Sequence, residues 1–239
     1  MKIPSILEML QSGIHFGHQT FRWHPKMKDY IFGERNGVHV IDLEKTRKAL
    51  EEVLGQVREM SAQGKKILFV TTRPQAREIV KAVAIDCDSP YLVGRWVGGL
   101  LTNFVEFKRL LKKYLSLKEQ QRNGELERYT KKEQVRIAKE LEKMDKTLAG
   151  LATLDKMPDA LFIPSVQKEK TSVIEANRMK VNIIGVCDTN ANPLKVSHVI
   201  PANDDAVKSI QMIVGLVGEA IKEGKAEGEK RKSEETAKK

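Results

Sequence analysis

Three short apolar runs rich in branched side chains, KKILFV at 65–70, DALFIP at 159–164 and VNIIGVC at 181–187, constrain this chain most. None alternates apolar with polar residues, so each reads as a strand buried on both faces. GVHVIDL (37–43) and PYLV (90–93) are weaker strand candidates. Helical patterns lie between them: LEKTRKALEEVLGQVREMSAQG, RPQAREIVKAVAIDC and KEKTSVIEANRM. Such alternation predicts an α/β fold whose parallel strands are joined by crossover helices. A last amphipathic helix is expected from NDDAVKSIQMIVGLV, with Asn203 as its cap and Asp204 and Asp205 favouring its positive end.

Residues 103–149 break the alternation with two long helical patterns split by NGELERYT. Phe104, Phe107, Leu111 and Tyr114 form a narrow stripe in the first, and Ile137, Leu141, Met144, Leu148 and Leu151 form one in the second. An inserted helical hairpin is expected, each arm reaching roughly 30 Å. The predicted organisation is a sheet domain from 1–102 and 151–222, a protruding hairpin at 103–150 and a tail at 223–239. The tail reads as disordered, because KEGKAEGEKRKSEETAKK has no apolar residue beyond alanine to offset its conformational entropy.

The net charge of +10 is concentrated: residues 1–48 carry +3, 105–150 carry +5 and 222–239 carry +2. This distribution favours an acidic partner such as nucleic acid, or else a well-solvated surface. No run approaches the roughly 18 apolar residues of a bilayer span. MKIPSILEML also lacks the long apolar stretch of a secretory signal. The expectation is a cytoplasmic protein with no membrane partner. Cys87 and Cys187 lie in apolar contexts without CxxC spacing and read as free core thiols.

The motifs of catalysis are missing. TTRPQARE follows the first strong strand where a phosphate-binding glycine loop would stand, and Gly94, Gly98 and Gly99 have the wrong spacing for one. Ser165 and Ser197 sit in no hydrolase motif. His15, His18, His24 and His39 lack a cysteine pair or HExxH, so local hydrogen bonding or contact with a polyanion is favoured over zinc. Asp188, Asp204 and Asp205 could bind a hard cation, yet a turn before Pro193 and a helix start explain them more simply. A metal-dependent hydrolase built on His15, His18 and Asp188 remains the competing class. No cofactor is expected.

In FRWHPKMKDYIFGERNG, cations and rings interleave: Phe21, Arg22, Trp23, His24, Lys26, Lys28, Tyr30, Phe32, Arg35. Cations suit phosphates and flat side chains suit exposed bases. The alternative buries Phe21, Trp23, Tyr30 and Phe32 in the core, and composition alone divides the two evenly.

The order of residues adds to this. GIHFGHQTFRWHPKMKDYIFGERNGVHVIDLEKT closely resembles the opening signature of the bacterial small-subunit ribosomal protein S-two family. The likeness continues through RWVGGLLTNF, KKEQVRIAKELEKM, PDALFIP and DTNANPLKVSHVIPANDDAVKSI, spanning about 5 to 222. The resemblance implies a flavodoxin-like three-layer domain, with a five-stranded parallel sheet in the order 2-1-3-4-5 and an inserted coiled-coil hairpin. It also implies a non-catalytic constituent of the small ribosomal subunit. Such a protein would bind small-subunit rRNA near the head-body junction, contact neighbouring ribosomal proteins and help the large OB-repeat mRNA-binding protein to join. The candidate rRNA-binding residues are then Arg22, Trp23, Lys26, Lys28, Arg35, Arg95, Lys108, Arg109, Lys112 and Lys113. A free RNA-binding regulator outside any large particle is the third reading.

Overall fold

The computed structural model describes residues 3–237. Its centre is a parallel sheet of β4 (Ile67–Thr71), β5 (Tyr91–Val93), β6 (Ala160–Ile163), β7 (Asn182–Cys187) and β8 (His198–Pro201), in the spatial order β5-β4-β6-β7-β8. The three strong apolar runs are the three interior strands. Their successive side chains enter opposite cores: Ile67, Phe69, Ala160, Phe162, Ile184 and Val186 face one, while Leu68, Val70, Leu161, Ile163 and Ile183 face the other. Such double burial is why these segments carry no polar alternation.

Helices α2 (Leu43–Ala62), α3 (Pro74–Asp86) and α7 (Val207–Ala237) cover the first face. The carboxylate of Asp42 starts α2 by accepting from the amides of Glu44 (3.0 Å) and Lys45 (3.3 Å). Leu50, Val53, Leu54, Val57 and Met60 then form its buried stripe. The second face carries α6 (Lys170–Met179) and the base of a helical pair, α4 (Phe104–Arg122) and α5 (Lys131–Leu148). These three layers are consistent with the flavodoxin-like expectation.

Phe107, Leu111, Tyr114, Leu141 and Leu148 anchor the helical pair in the second core, but no residue from Leu115 to Glu140 is buried. Ion pairs Lys113–Glu140 (2.6 Å) and Lys118–Asp145 (2.8 Å) tie its two arms together.

Two features depart from expectation. GVHVIDL contributes its strand, β3 (Val38–Ile41), to a separate antiparallel sheet in the order β1-β3-β2, with β1 (Phe16–Gln19) and β2 (Ile31–Arg35). The proposed disordered tail at 223–239 is also corrected, because α7 runs on through Ala237; residues 238 and 239 lie outside the described residues. Small residues one helical turn apart explain the continuation. A Cβ on Gly224 would stand 2.2 Å from the Arg58 carbonyl oxygen, and one on Gly228 would stand 2.4 Å from that of Ala62. Glycine thus lets α7 lie directly on the α2 backbone. Arg58–Glu227 (3.5 Å) and Arg231–Glu59 (3.4 Å) bracket the contact.

Candidate nucleic-acid interface

A doubly wound sheet usually binds its ligand beyond the carboxyl ends of the strands, where the strand order reverses. Here that point lies between β4 and β6, where buried side chains pair with one another beside an open recess of about 630 Å³ lined by His18, Arg22, Arg73, Lys168, Lys170 and Asp205. The Glu169 carboxylate accepts from the Thr72 amide (2.5 Å) and hydroxyl (2.7 Å). Ser165 donates its hydroxyl to Asp204 at 2.6 Å. Arg73 donates to the Asp204 carboxylate (3.2 Å) and carbonyl (2.8 Å), and to the Asp205 carboxylate. Arg73, Ser165, Glu169 and Asp204 are all buried.

The amino-terminal arm, with β1, β2 and β3, closes over this end of the sheet. The His18 amide donates to the Thr189 hydroxyl (2.8 Å), the His24 amide to the Thr189 carbonyl (2.8 Å), and the Asn203 amide to the Ile14 carbonyl (3.0 Å). Gly17 permits this seating, since a Cβ there would lie 2.6 Å from the Thr189 methyl.

Beneath the arm, His18 Nδ1 lies 3.1 Å from Asp188 and Nε2 lies 3.4 Å from Asp205. Hydrogen bonding to Asp188 raises the His18 pKa against the opposing effect of burial. Burial, followed by the neighbouring Asp188 charge, raises that of Asp204 to about 6, although Arg73 and Ser165 pull it down. One donor atom from each of His18, Asp188, Asp204 and Asp205 lies within 4.8 Å of the others. One imidazole with three carboxylates is a donor set suited to a zinc-class cation. Arg73 is the cation in direct contact with these carboxylates, and Arg22, Lys168 and Lys170 line the adjoining recess.

The helix-start explanation of these aspartates therefore needs correction. Asn203 does make the turn, accepting from the amides of Asp205 (2.7 Å) and Ala206 (2.9 Å). Asp204 instead points inward to Arg73 and Ser165, and α7 starts only at Val207. His15 stands outside the cluster, its ring 4.0 Å from that of Phe16. His24 Nδ1 accepts from the Lys26 amide (3.2 Å), and the His39 ring lies 5.4 Å from Trp23.

On the outer side of the arm, the even division between stacking surface and core resolves residue by residue. Tyr30 packs against the second core with Met27 and Ile31. Phe21 remains 75% exposed, Phe32 80% and Trp23 37%. Phe32 is the extra residue of a bulge, because Ile31 opposes Ile41 while Gly33 already opposes Val40. Bulges re-aim side chains in this way. Arg22 stands 5.4 Å from the Phe21 ring centre, and Lys26, Lys28 and Arg35 are exposed elsewhere on the arm.

Arg95 is exposed in the loop after β5, and Lys108, Arg109, Lys112 and Lys113 are exposed on α4. Two of these are engaged within the helical pair: Arg109 with Glu106 (2.5 Å) and Lys113 with Glu140 (2.6 Å). The candidate residues thus occupy three places: the arm, the loop and the hairpin.

Glu175 on α6 organises the loop between β5 and α4, and sequence reasoning missed it. Its buried carboxylate accepts from Trp96 Nε1 (2.9 Å), the amides of Gly99 (2.9 Å), Leu101 (3.1 Å) and Thr102 (3.3 Å), and the Thr102 hydroxyl (3.3 Å). Burial works to raise its pKa, but these hydrogen bonds outweigh burial and hold it below the usual carboxylate value. The only sequence signal is an acid beside Val173 and Ala176 on the buried face of a helix.

Compared with known families, the sequence profile described as Ribosomal protein S2 matches residues 9–224.

Proposed function

Because this chain belongs to the ribosomal protein S2 family, structural components of the small ribosomal subunit rather than enzymes, we propose that it is an RNA-anchored scaffold seated on small-subunit rRNA near the head-body junction. One observation carries the reading. Arg22, Lys26, Lys28 and Arg35 stand exposed on the same arm as the open Phe21 and Phe32 rings, and that arm is pinned to the sheet through Thr189. Cations held in fixed positions neutralise phosphates without first losing the freedom of a loose segment. Arg22, Trp23, Lys26, Lys28 and Arg35 form the primary contact, and Arg95 extends it. On the hairpin, an inserted unit at 103–150 that we read as a coiled coil, Lys108 and Lys112 have no carboxylate partner among the described residues. They are better placed for phosphate than Arg109 and Lys113.

At the strand ends the buried groups are engaged with one another in Arg73–Asp204 and Glu169–Thr72 pairs, and the recess beside them is lined by Arg22, Lys168 and Lys170, which suits a polyanion. The test replaces Arg22, Lys26 and Lys28 together with alanine and follows rRNA binding and incorporation into small subunits over a salt series. The salt slope is expected to fall by about 2 to 3, as three phosphate contacts are lost. Unchanged incorporation with an unchanged slope refutes the contact.

The scaffold also supports recruitment of the large OB-repeat protein that captures mRNA. The support is the family together with the open Phe21 and Phe32 rings, which give a neighbouring protein an apolar foothold. Small subunits depleted of this chain are expected to lack that protein on quantitative mass spectrometry. Normal occupancy overturns the recruitment role.

A further inference from the structure

A groove of about 420 Å³ runs between the start of α1 (Ile6–Gln11) and the outer face of α7, with Pro4, Glu8, Met212, Gly215, Leu216 and Glu219 among its walls. Met212 and Leu216 are half-buried there, and Leu7 and Leu10 on α1 are 66% and 50% exposed. A single exposed leucine needs no explanation, but an open apolar cluster rimmed by polar groups marks a contact surface. The charge of the groove tells which kind. Its described walls hold two carboxylates and no Lys or Arg; Lys208, one turn before Met212, lies outside them. Glu8 accepts from the Ser5 amide at 2.6 Å, whereas Glu219 is exposed and has no cation partner among the described residues. On a chain of net charge +10, this face has the sign opposite to that of the arm and the hairpin. It repels a polyanion and attracts a cationic surface.

Gly215 points the same way. Three other glycines of α7 are needed where they stand, because a Cβ on Gly218, Gly224 or Gly228 would lie 2.3, 2.2 or 2.4 Å from Val83, Arg58 or Ala62. A Cβ on Gly215 would meet nothing within 4 Å, and its backbone is ordinary helix. Glycine weakens a helix interior, so nothing inside the chain accounts for it. What glycine offers in the wall of a groove is room for a second helix to lie close against α7. An amphipathic helix laid into an apolar groove is a recurrent mode of recognition.

We propose that this groove seats a basic amphipathic helix of a neighbouring small-subunit protein. Its apolar side chains rest on Met212, Leu216, Leu7 and Leu10, its cations stand beside Glu219 and Glu8, and its backbone passes close over Gly215. The inference rests on the family's place in the small subunit and not on the RNA contact of the arm.

A photo-cross-linking side chain is placed at Gln211, another wall of the groove, in the full-length chain, and assembled small subunits are irradiated and analysed by mass spectrometry. The expected product joins position 211 to a Lys- and Arg-rich helical segment of one other small-subunit protein. Glu219→Lys is expected to lower its yield about tenfold at low salt, with the deficit shrinking as salt rises. Gly215→Leu is expected to abolish it. The free Gly215→Leu chain should unfold at no lower urea concentration than the wild type, because the space beside Gly215 is open, so its lost product reports a blocked groove and not a lost fold. A product with rRNA, with an acidic segment or with a second copy of this chain overturns the assignment, as does no product at all or an unchanged yield in both variants. The Arg22, Lys26 and Lys28 triple variant separates the two readings: a wild-type salt slope there refutes the arm's RNA contact, while a position-211 product still formed in those subunits upholds the groove.

Discussion

Glu175→Ala is expected to lower the unfolding free energy by about 2–6 kcal/mol, because the Trp96 indole and the Leu101 amide lose their acceptor in a dry environment and each buried orphan costs about 1–3 kcal/mol. Gly99 and Thr102 are more open and can turn to water. The loss is a large share of the roughly 5–15 kcal/mol that holds a typical domain. Urea unfolding measures it, and a loss below about 1 kcal/mol would show that the loop does not depend on this carboxylate. Glu175→Gln should fall between, since an amide presents one acceptor oxygen and turns an NH2 toward the remaining donors. The sign with pH follows from the lowered pKa: the ionised group stabilises the fold above the ordinary carboxylate range, and that contribution disappears as pH falls through the lowered value. The damage would reach function, because this loop leads directly into α4 and sets where the hairpin leaves the sheet.

Arg73→Ala is the second large effect. It leaves the fully buried Asp204 facing Asp188 without the guanidinium between β4 and α7. Breaking a buried ion pair by removing one partner costs about 3–5 kcal/mol. The Asp204 pKa already lies above its ordinary value, so its ionisation opposes folding as pH rises through about 6. Without Arg73 that pKa climbs further, and the deficit at neutral pH should shrink when stability is measured in mild acid. A deficit independent of pH would mean that the charge on Asp204 is not what Arg73 compensates.

The parallel sheet was legible in the sequence because β4, β6 and β7 are buried on both faces and leave continuous apolar runs. The arm's sheet was not. FGHQ and IFGER are short and largely exposed or half-buried, and their pairing is irregular, so they carry no period-two pattern. The end of α7 was misread for a different reason. A segment without large apolar residues looks unable to pack, yet Gly224 and Gly228 pack by bringing backbones together. In the candidate site, exposed cations could be named from local composition. The groups that position them could not, because Arg73 meets Asp204 across 131 residues and Glu175 meets Trp96 across 79. Such pairings leave no trace in any local window.

The seating of the arm on Thr189 has a temporal consequence. His18 and the hydroxyl it meets are 171 residues apart, so the basic arm waits for β7 and the turn after it before it is seated on the sheet. Contacts this distant close late in folding. A nascent chain that stops before Thr189 carries the charge of the arm without the hydrogen bonds that seat it on the parallel sheet.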